Sequence, residues 1–403
     1  MKLEIRDPEV LGVTEDSITL TFRVEDGKQV VDAPARVCVS GEERCLVEGP
    51  AGTRHVCIGG LDPATSYTLE IEAEGAPGLA PDRYFPERVE TLPDSEAGQV
   101  ASFATLNDLH FGEPRVGGTL TDDHEYGDEA PGFPAVRADE SDVPYWRFMN
   151  EDAIAEINRE GVDAVIIKGD IADRGRPEQF EAAARAFSHF DAPHHVILGN
   201  HDHYARQEGR EVDGFALLGQ PPTPRALELA GWRLVLLDTT LPGHHHGVFP
   251  EERLQWLEEC LLESRERDLP TLLFMHHQPV PAEHRDEYPN SIGMLPEHSL
   301  PLYELLGRSP HVKGVLIGHT HRNRVRHHPS AGGVPFIEVH CTKDYPGGYA
   351  HYRLYEDGSF RQEVRRTASE RALAHSSFCR HLFRGLYRDF ALGPLGARSF
   401  VVG

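Results

Sequence analysis

The chain has 403 residues, of which 39% are hydrophobic and 26% charged, and this balance predicts a globular protein of two or three domains. The formal net charge of −25 disfavours a nucleic-acid polymer as ligand, because an acidic surface repels phosphate backbones. No apolar run reaches the roughly 18–20 residues of a membrane span, and residues 1–7 lack the apolar core of a secretory signal. We therefore expect no membrane partner and a cytoplasmic location, with the six cysteines reduced.

Residues 1–92 alternate between apolar and polar side chains, as in Ser17–Val24 and Tyr67–Ala73. Separated by turn residues, such segments are typical of half-buried strands in a small β-sandwich. The segment Leu61–Tyr67 resembles the corner of a fibronectin type III domain, with Tyr67 supplying the tyrosine-corner hydroxyl. We expect this domain to have a structural role, since it carries no evident chemistry.

A polar linker precedes a second domain, which we place at residues 100–366. Apolar runs alternate there with segments of helical spacing at 145–160, 177–190 and 250–267, a pattern that predicts an α/β fold with right-handed crossovers. The irregular stretch 112–143, which contains His124, is typical in length of a lid or binding loop.

The last segment, residues 367–403, is locally basic and aromatic. We expect it to pack on the body of the protein or on a partner subunit. The second arrangement implies a homo-oligomer.

Five apolar runs of the second domain stop abruptly at residues with metal-binding side chains. These are the runs before Asn107-Asp108-Leu109-His110, Gly169-Asp170, Gly199-Asn200-His201-Asp202, His276-His277 and Gly318-His319-Thr320-His321. Ligands bind beyond the carboxyl ends of strands in open α/β sheets. Mixed nitrogen and oxygen donors suit zinc, manganese or iron. Seven such donors suit two ions that share one carboxylate.

The order Asp-x-His, Gly-Asp, Gly-Asn-His-Asp, His, Gly-His-x-His resembles the calcineurin-like metallophosphoesterase superfamily over roughly residues 100–345. The resemblance implies a four-layer α/β/β/α sandwich preceded by the small β-sandwich. Carried over residue by residue, it implies a first metal site made of Asp108, His110, Asp170 and His321. It implies a second site made of Asp170, Asn200, His276 and His319, in which Asp170 is the bridge and the ions are manganese, iron or zinc.

Two subgroups of that superfamily compete for the substrate class. Gly169–Gly175 resembles the Gly-Asp-x-x-Asp-Arg-Gly of the Ser/Thr protein phosphatases, which favours monoesters. Arg176–Phe180 and Phe274–Pro279 resemble the class III cyclic nucleotide and glycerophosphodiester phosphodiesterases. We expect a hydrolase of small phosphate esters that prefers diesters. Purple acid phosphatases fit less well, since no tyrosine follows Asp170.

Four further residues are expected to serve the reaction, in which a hydroxide between the metals attacks the ester. His201 would stabilise the developing charge or protonate the leaving alkoxide, and Asp173 would orient it in a carboxylate–imidazole pair. Arg174 would bind a phosphate oxygen in bidentate fashion. His340 is either a substrate-facing residue, as the resemblance suggests, or a core histidine. The contrasting class is a non-catalytic scaffold, which the retention of seven donors and His201 argues against.

Overall fold

Two antiparallel sheets form the N-terminal region of the computed structural model, which describes residues 2–49, 51–116, 136–138 and 143–403. The predicted loop 112–143 lies largely outside these residues, and His124 lies wholly outside them. The strands of the N-terminal region are β1 (Leu3–Val13), β2 (Ile18–Asp26), β3 (Gln29–Val30), β4 (Ala35–Val39), β5 (Glu42–Val47), β6 (Arg54–Ile58), β7 (Ser66–Ala73) and β8 (Arg88–Glu90). One sheet has the order β1-β2-β3 with β6 on β2, and the other has the order β5-β4-β7-β8.

The core of this sandwich comes from alternate residues of both sheets, including Leu20, Phe22, Val37 and Ile71. The all-β prediction is confirmed. The predicted tyrosine corner is also confirmed, because the hydroxyl of Tyr67 accepts the backbone N–H of Asp62 at 2.8 Å.

The remaining elements build two larger sheets and their covering helices. In chain order they are β9 (Gln99–Leu106), β10 (Arg115–Val116), β11 (Val136–Arg137), α1 (Tyr145–Glu160), β12 (Ala164–Lys168), α2 (Pro177–Phe187), β13 (His194–Ile197), α3 (Gly214–Leu218), β14 (Arg225–Leu229), β15 (Trp232–Leu236), α4 (Glu251–Glu266), β16 (Thr271–Met275), α5 (Pro296–Gly307), β17 (Val312–Ile317), β18 (Arg324–His327), β19 (Pro335–Glu338), β20 (Gly348–Tyr355), β21 (Phe360–Arg366), α6 (Glu370–Cys379), α7 (Leu386–Ala391), α8 (Leu395–Arg398) and β22 (Ser399–Val402). One six-stranded sheet has the order β13-β12-β9-β20-β21-β22 and the other has the order β14-β15-β16-β17-β19-β18.

The two six-stranded sheets pack face to face through an apolar core that includes Phe103, Ile166, Phe274 and Leu316. Residues from α1 and α2 join the core on the outer face of the first sheet, and residues from α4 and α5 join the core on the outer face of the second. The predicted α/β/β/α sandwich is therefore confirmed. Its inner strands are parallel, with β12 between β9 and β13 and with β16 between β15 and β17, so their carboxyl ends meet at one edge of each sheet.

The helices follow the predicted periodicity closely. Helix α1 has the predicted bounds, whereas α2 ends at Phe187, three residues before the predicted end. Among the described residues, no helix combines the length and the apolar character that crossing a bilayer would require.

The segment 367–403 packs on the body of the protein and also adds a strand to the first six-stranded sheet. Strand β22 pairs antiparallel with β21, so the first sheet continues past residue 366. The buried guanidinium of Arg398 donates to the carbonyl oxygens of Val10 and Leu11 at 2.6 and 2.5 Å, which ties this segment to the N-terminal sandwich. The division into domains 1–92, 100–366 and 367–403 stays a prediction.

Replacing Tyr67 by Phe removes the hydroxyl that satisfies the Asp62 N–H and keeps the ring in the core. We expect a loss of about 1 kcal/mol in the free energy of unfolding, the usual contribution of one hydrogen bond. Urea unfolding followed by circular dichroism measures it. An unchanged unfolding curve would show that the corner contributes nothing to stability.

Candidate metal centre

The seven predicted ligands come together where the parallel strands end. Strands β9, β12, β13, β16 and β17 each end within three residues of a predicted ligand. All seven side chains are at most 5% exposed: Asp108, His110, Asp170, Asn200, His276, His319 and His321. Groups drawn from this set place their donor atoms within 4.8 Å of one another. The geometry predicted from strand ends is thus present in the structure, and the ligand roles themselves stay a prediction.

The imidazole of His276 lies at the centre of the second predicted set. Its Nε2 is 3.2 Å from Oδ2 of Asp170 and 3.1 Å from Oδ1 of Asn200. Its Nε2 is also 3.2 Å from Nδ1 of His319. On the other side of the ring, Nδ1 is 2.8 Å from the carbonyl oxygen of Lys168, which can only accept a hydrogen bond.

This arrangement tests whether the residues fit a metal ion. Because Nδ1 of His276 donates its proton to the carbonyl of Lys168, a neutral ring turns the lone pair of Nε2 toward the centre. The carboxylate of Asp170 and the amide oxygen of Asn200 direct further lone pairs to the same place. Converging lone pairs repel one another unless a cation lies among them. The mixed nitrogen and oxygen set suits a transition metal, so the residues fit the group.

The first predicted set lies beside the second. The donor atoms of Asp108, His110 and His321 form one cluster, with Nε2 of His321 3.4 Å from Oδ1 of Asp108. Asp170 reaches both sets, because its Oδ2 is 3.2 Å from Nε2 of His276 and 4.0 Å from Nε2 of His110. This position is compatible with the bridging role of Asp170, which stays a prediction.

The backbone is strained at these residues. Positive φ angles of 45° to 66° occur at five of the seven predicted ligands: Asp108, His110, Asp170, His319 and His321. Left-handed backbone costs a residue with a Cβ of the order of 1–3 kcal/mol and concentrates at functional sites. Hydrogen bonds within the centre stabilise these backbone conformations. For example, the backbone N–H of His319 donates to the Asp108 carboxylate at 3.0 Å.

The electrostatics of the centre keep its carboxylates charged. Burial alone raises the pKa of Asp170, but the surrounding imidazoles, His276 foremost, hold that pKa well below its usual value. Burial also raises the pKa of Asp108, but the imidazoles of His321 and His276 together hold that pKa below its usual value. Burial lowers the pKa of the Lys168 ammonium, next to this centre in sequence, to about 7.

Asp202 positions two of the loops, a role that sequence reasoning missed. Its buried carboxylate accepts the backbone N–H groups of Ala172 and Gly199 at 2.7 and 2.8 Å. These residues lie beside Asp170 and Asn200, so one side chain joins the ends of two strands. Burial, followed by the charge of Asp170, raises the pKa of Asp202 to about 7. The available signal was its place as the last residue of Gly-Asn-His-Asp.

His245, from the histidine cluster 244–246, also reaches the centre. Its Nδ1 lies 2.5 Å from the hydroxyl of Tyr204. That hydroxyl accepts the side-chain amide of Asn200 at 2.5 Å, which leaves Oδ1 of Asn200 facing His276. The run of three histidines in this loop does not indicate which of them makes such a contact.

The predicted carboxylate–imidazole pair between Asp173 and His201 is a long ion pair of 4.0 Å in this structure and stays a prediction. Nδ1 of His201 donates instead to the backbone carbonyl of Asp173 at 2.8 Å. The carboxylate of Asp173 is 4.0 Å from that nitrogen and closer, at 3.6 Å, to Nδ1 of His110. The physical reason is that the tight loop after Asp170 brings the main chain of Asp173 next to the imidazole of His201.

The two predicted substrate-binding residues have different surroundings. Arg174 is half-buried, and its backbone N–H donates to Oε1 of Gln179 at 2.9 Å. His340 is only 1% exposed, with Nδ1 3.1 Å from Oδ1 of Asn323, and burial lowers its pKa to about 3. These contacts favour the second alternative for His340, a core histidine.

Comparison with known proteins agrees with this geometry. The family model described as calcineurin-like phosphoesterase matches residues 102–323, and the chain belongs to this family. The 3',5'-cyclic adenosine monophosphate phosphodiesterase CpdA of Escherichia coli K12 is 31% identical over 52% of this chain and 76% of its own.

Two other relatives are similar over shorter stretches. The glycerophosphodiester phosphodiesterase GpdQ of Enterobacter lignolyticus is 32% identical over 43% of this chain and 61% of its own. A cAMP/cGMP dual specificity phosphodiesterase of Mycobacterium tuberculosis is 29% identical over 50% and 60%. The family match covers all seven predicted ligands, and the predicted membership in the superfamily is confirmed.

Replacing Gly199 by Ala should disrupt the centre. A Cβ there would lie 2.2 Å from Oδ1 of Asp170 and 2.7 Å from Cε1 of His276. We expect a loss of bound metal and a destabilisation of about 1–3 kcal/mol from overpacking. Metal analysis of the purified protein measures the first effect and thermal unfolding the second. The control is Gly59→Ala, where an added Cβ has no neighbour within 4 Å; equal metal content in both variants would contradict the geometry.

Proposed function

We propose that this chain is a binuclear metal-dependent hydrolase of small phosphate diesters. The observation that carries the proposal is the convergence of six buried donors on the two sides of Asp170, which is the seventh. The names of its relatives support a diester substrate, since they include a cyclic nucleotide phosphodiesterase and a glycerophosphodiester phosphodiesterase.

The proposed division of the ligands follows the two clusters. Asp108, His110 and His321 would hold one ion, Asn200, His276 and His319 the other, and Asp170 would hold both. Two bound metal ions supply a nucleophile at neutral pH by lowering the pKa of water, and they neutralise the phosphate charge. Manganese, iron and zinc all accept this mixture of imidazole, amide and carboxylate donors.

His201 would deliver the proton that the leaving alkoxide needs. Its Nδ1 donates to the Asp173 carbonyl, so Nε2 would be the nitrogen that exchanges a proton with substrate. Its backbone N–H donates to Oδ1 of Asp170 at 2.9 Å, which fixes the ring beside the bridging carboxylate. A general acid held by two such contacts is oriented before substrate arrives.

A phosphomonoesterase is the second candidate, because Gly169–Gly175 keeps the Gly-Asp-x-x-Asp-Arg-Gly pattern. We rank it second because the Asp173 carboxylate does not make the close contact with His201 that the pattern led us to expect. A non-catalytic scaffold would account for the fold but not for the buried donors.

Replacing His201 by Ala should lower kcat by roughly 10²- to 10⁴-fold, the usual contribution of a general acid. Both metal ions should stay bound, because the proposal assigns His201 no ligand role. Steady-state kinetics and metal analysis of the same sample give the two readouts. Exposed His189 provides a control, and its replacement by Ala should leave the rate unchanged. Loss of one ion from His201→Ala would make His201 a ligand and contradict its assigned role.

Hydrolysis of bis-p-nitrophenyl phosphate and p-nitrophenyl phosphate, assayed with added manganese, distinguishes the candidate functions. We expect the higher kcat/KM for the diester. Asp170→Asn should lose turnover together with metal, since it weakens the carboxylate that both sites share. Preference for the monoester would favour the second candidate, and full activity of Asp170→Asn would exclude a metal pair bridged by this residue.

A further inference from the structure

A second carboxylate lies behind His321, on the side of the ring away from the centre. Nε2 of His321 is 3.4 Å from Oδ1 of Asp108, whereas Nδ1 is 3.8 Å from Oδ2 of Asp344. The two ring nitrogens therefore face two carboxylates. Only Asp108 belongs to the predicted ligand set, and the proposed reaction assigns nothing to Asp344.

Asp344 is fully buried and held by several donors. Its Oδ1 accepts the thiol of Cys341 and the backbone N–H of Tyr345, both at 2.6 Å. Nζ of Lys343 lies 3.5 Å from Oδ2. An ammonium, a thiol and a main-chain N–H thus surround the carboxylate, and these donors stabilise its charged form.

Lys343 also contacts the segment that carries His110, the other histidine of the first set. Nζ of Lys343 is 2.9 Å from Oε2 of Glu113, which also accepts the hydroxyl of Tyr145 at 2.8 Å. The backbone N–H of Glu113 donates to the carbonyl of His110 at 3.0 Å. The buried ammonium of Lys343 thus lies between two carboxylates: that of Asp344, next to His321, and that of Glu113, next to His110. The three groups together leave one negative charge beside the first set.

We propose that Asp344 is a positioning residue for the first metal site: its carboxylate orients the His321 imidazole and strengthens Nε2 as a ligand, and Lys343 and Glu113 hold it in place. A carboxylate that accepts the distal N–H of a ligating histidine fixes the tautomer and raises the basicity of the ligating nitrogen. The proposal rests on the proposed function in one respect, namely that His321 binds a metal ion.

A separate metal ion among His321, Cys341 and Asp344 is the competing explanation, since their donor atoms form a compact group. The contacts argue against it. The Cys341 thiol donates its proton to Oδ1 of Asp344 at 2.6 Å, so this sulfur is present as a thiol. A protonated thiol is a poor ligand, because the thiolate is the form that binds metal.

Manganese binding to the full chain, measured by calorimetry on metal-depleted protein, tests the proposal without any substrate. In Asp344→Asn we expect the affinity of one of two sites to fall by roughly 10- to 100-fold, the usual effect of removing such a partner. The affinity of the other site should not change. Activity of Asp344→Asn should return at saturating manganese, which a damaged fold would not allow. Two dissociation constants equal to those of the unchanged protein would overturn the proposal.

A second variant covers the case in which Asp344→Asn does not fold. Cys341→Ala removes one donor to Asp344 and should weaken the same site by a smaller factor, and unchanged affinities in this variant would overturn the proposal. Glu363→Gln is the control, since Glu363 is a buried carboxylate that pairs with Arg365 instead; both its manganese affinities should be unchanged. Unchanged protein that binds two manganese ions without hydrolysing a diester would contradict the proposed function alone.

Discussion

The centre depends on one carboxylate that two clusters of donors share. Asp170 lies at the end of a strand buried on both faces, and its side chain reaches His276 on one side and His110 on the other. A charged group in such a place is costly unless opposite charge surrounds it. Imidazoles partly meet this need, and metal ions bound by the same donors would meet the rest. The other ligands are arranged around this requirement.

The surrounding structure supports the centre through buried polar contacts more than through apolar packing. Asp202 joins two strand ends, Tyr204 orients Asn200, and the carbonyl of Lys168 fixes the tautomer of His276. Each contact uses a main-chain group or a side chain within five residues of a predicted ligand. Short loops with strained backbone therefore hold the donors, and the parallel strands beneath provide the rigidity that those loops lack.

Much of the fold could be predicted from the sequence, because its signals are local. Strands buried on both faces read as continuous apolar runs, and the donors directly after them mark the edge where the strands end. The contacts of Asp173 and His340 could not be predicted, since they depend on which atom of a loop comes closest to a ring. The pairing of β22 with β21 was missed for a related reason: a strand of four residues at a sheet edge carries too little pattern to identify its partner.

That last pairing has a consequence for how the molecule is made. Strand β22 covers the edge of β21 in the sheet that also contains β9. Nearly three hundred residues of chain therefore separate β9 from β22 within one sheet. Arg398, just before β22, also bonds the first strand of the N-terminal sandwich. During synthesis, both the edge of β21 and this interface stay uncovered until Arg398 and β22 have been made. An uncovered edge invites pairing with other chains, and contacts as distant in sequence as that of Arg398 with Val10 slow folding, so the nascent protein is most prone to aggregate before β22 is made.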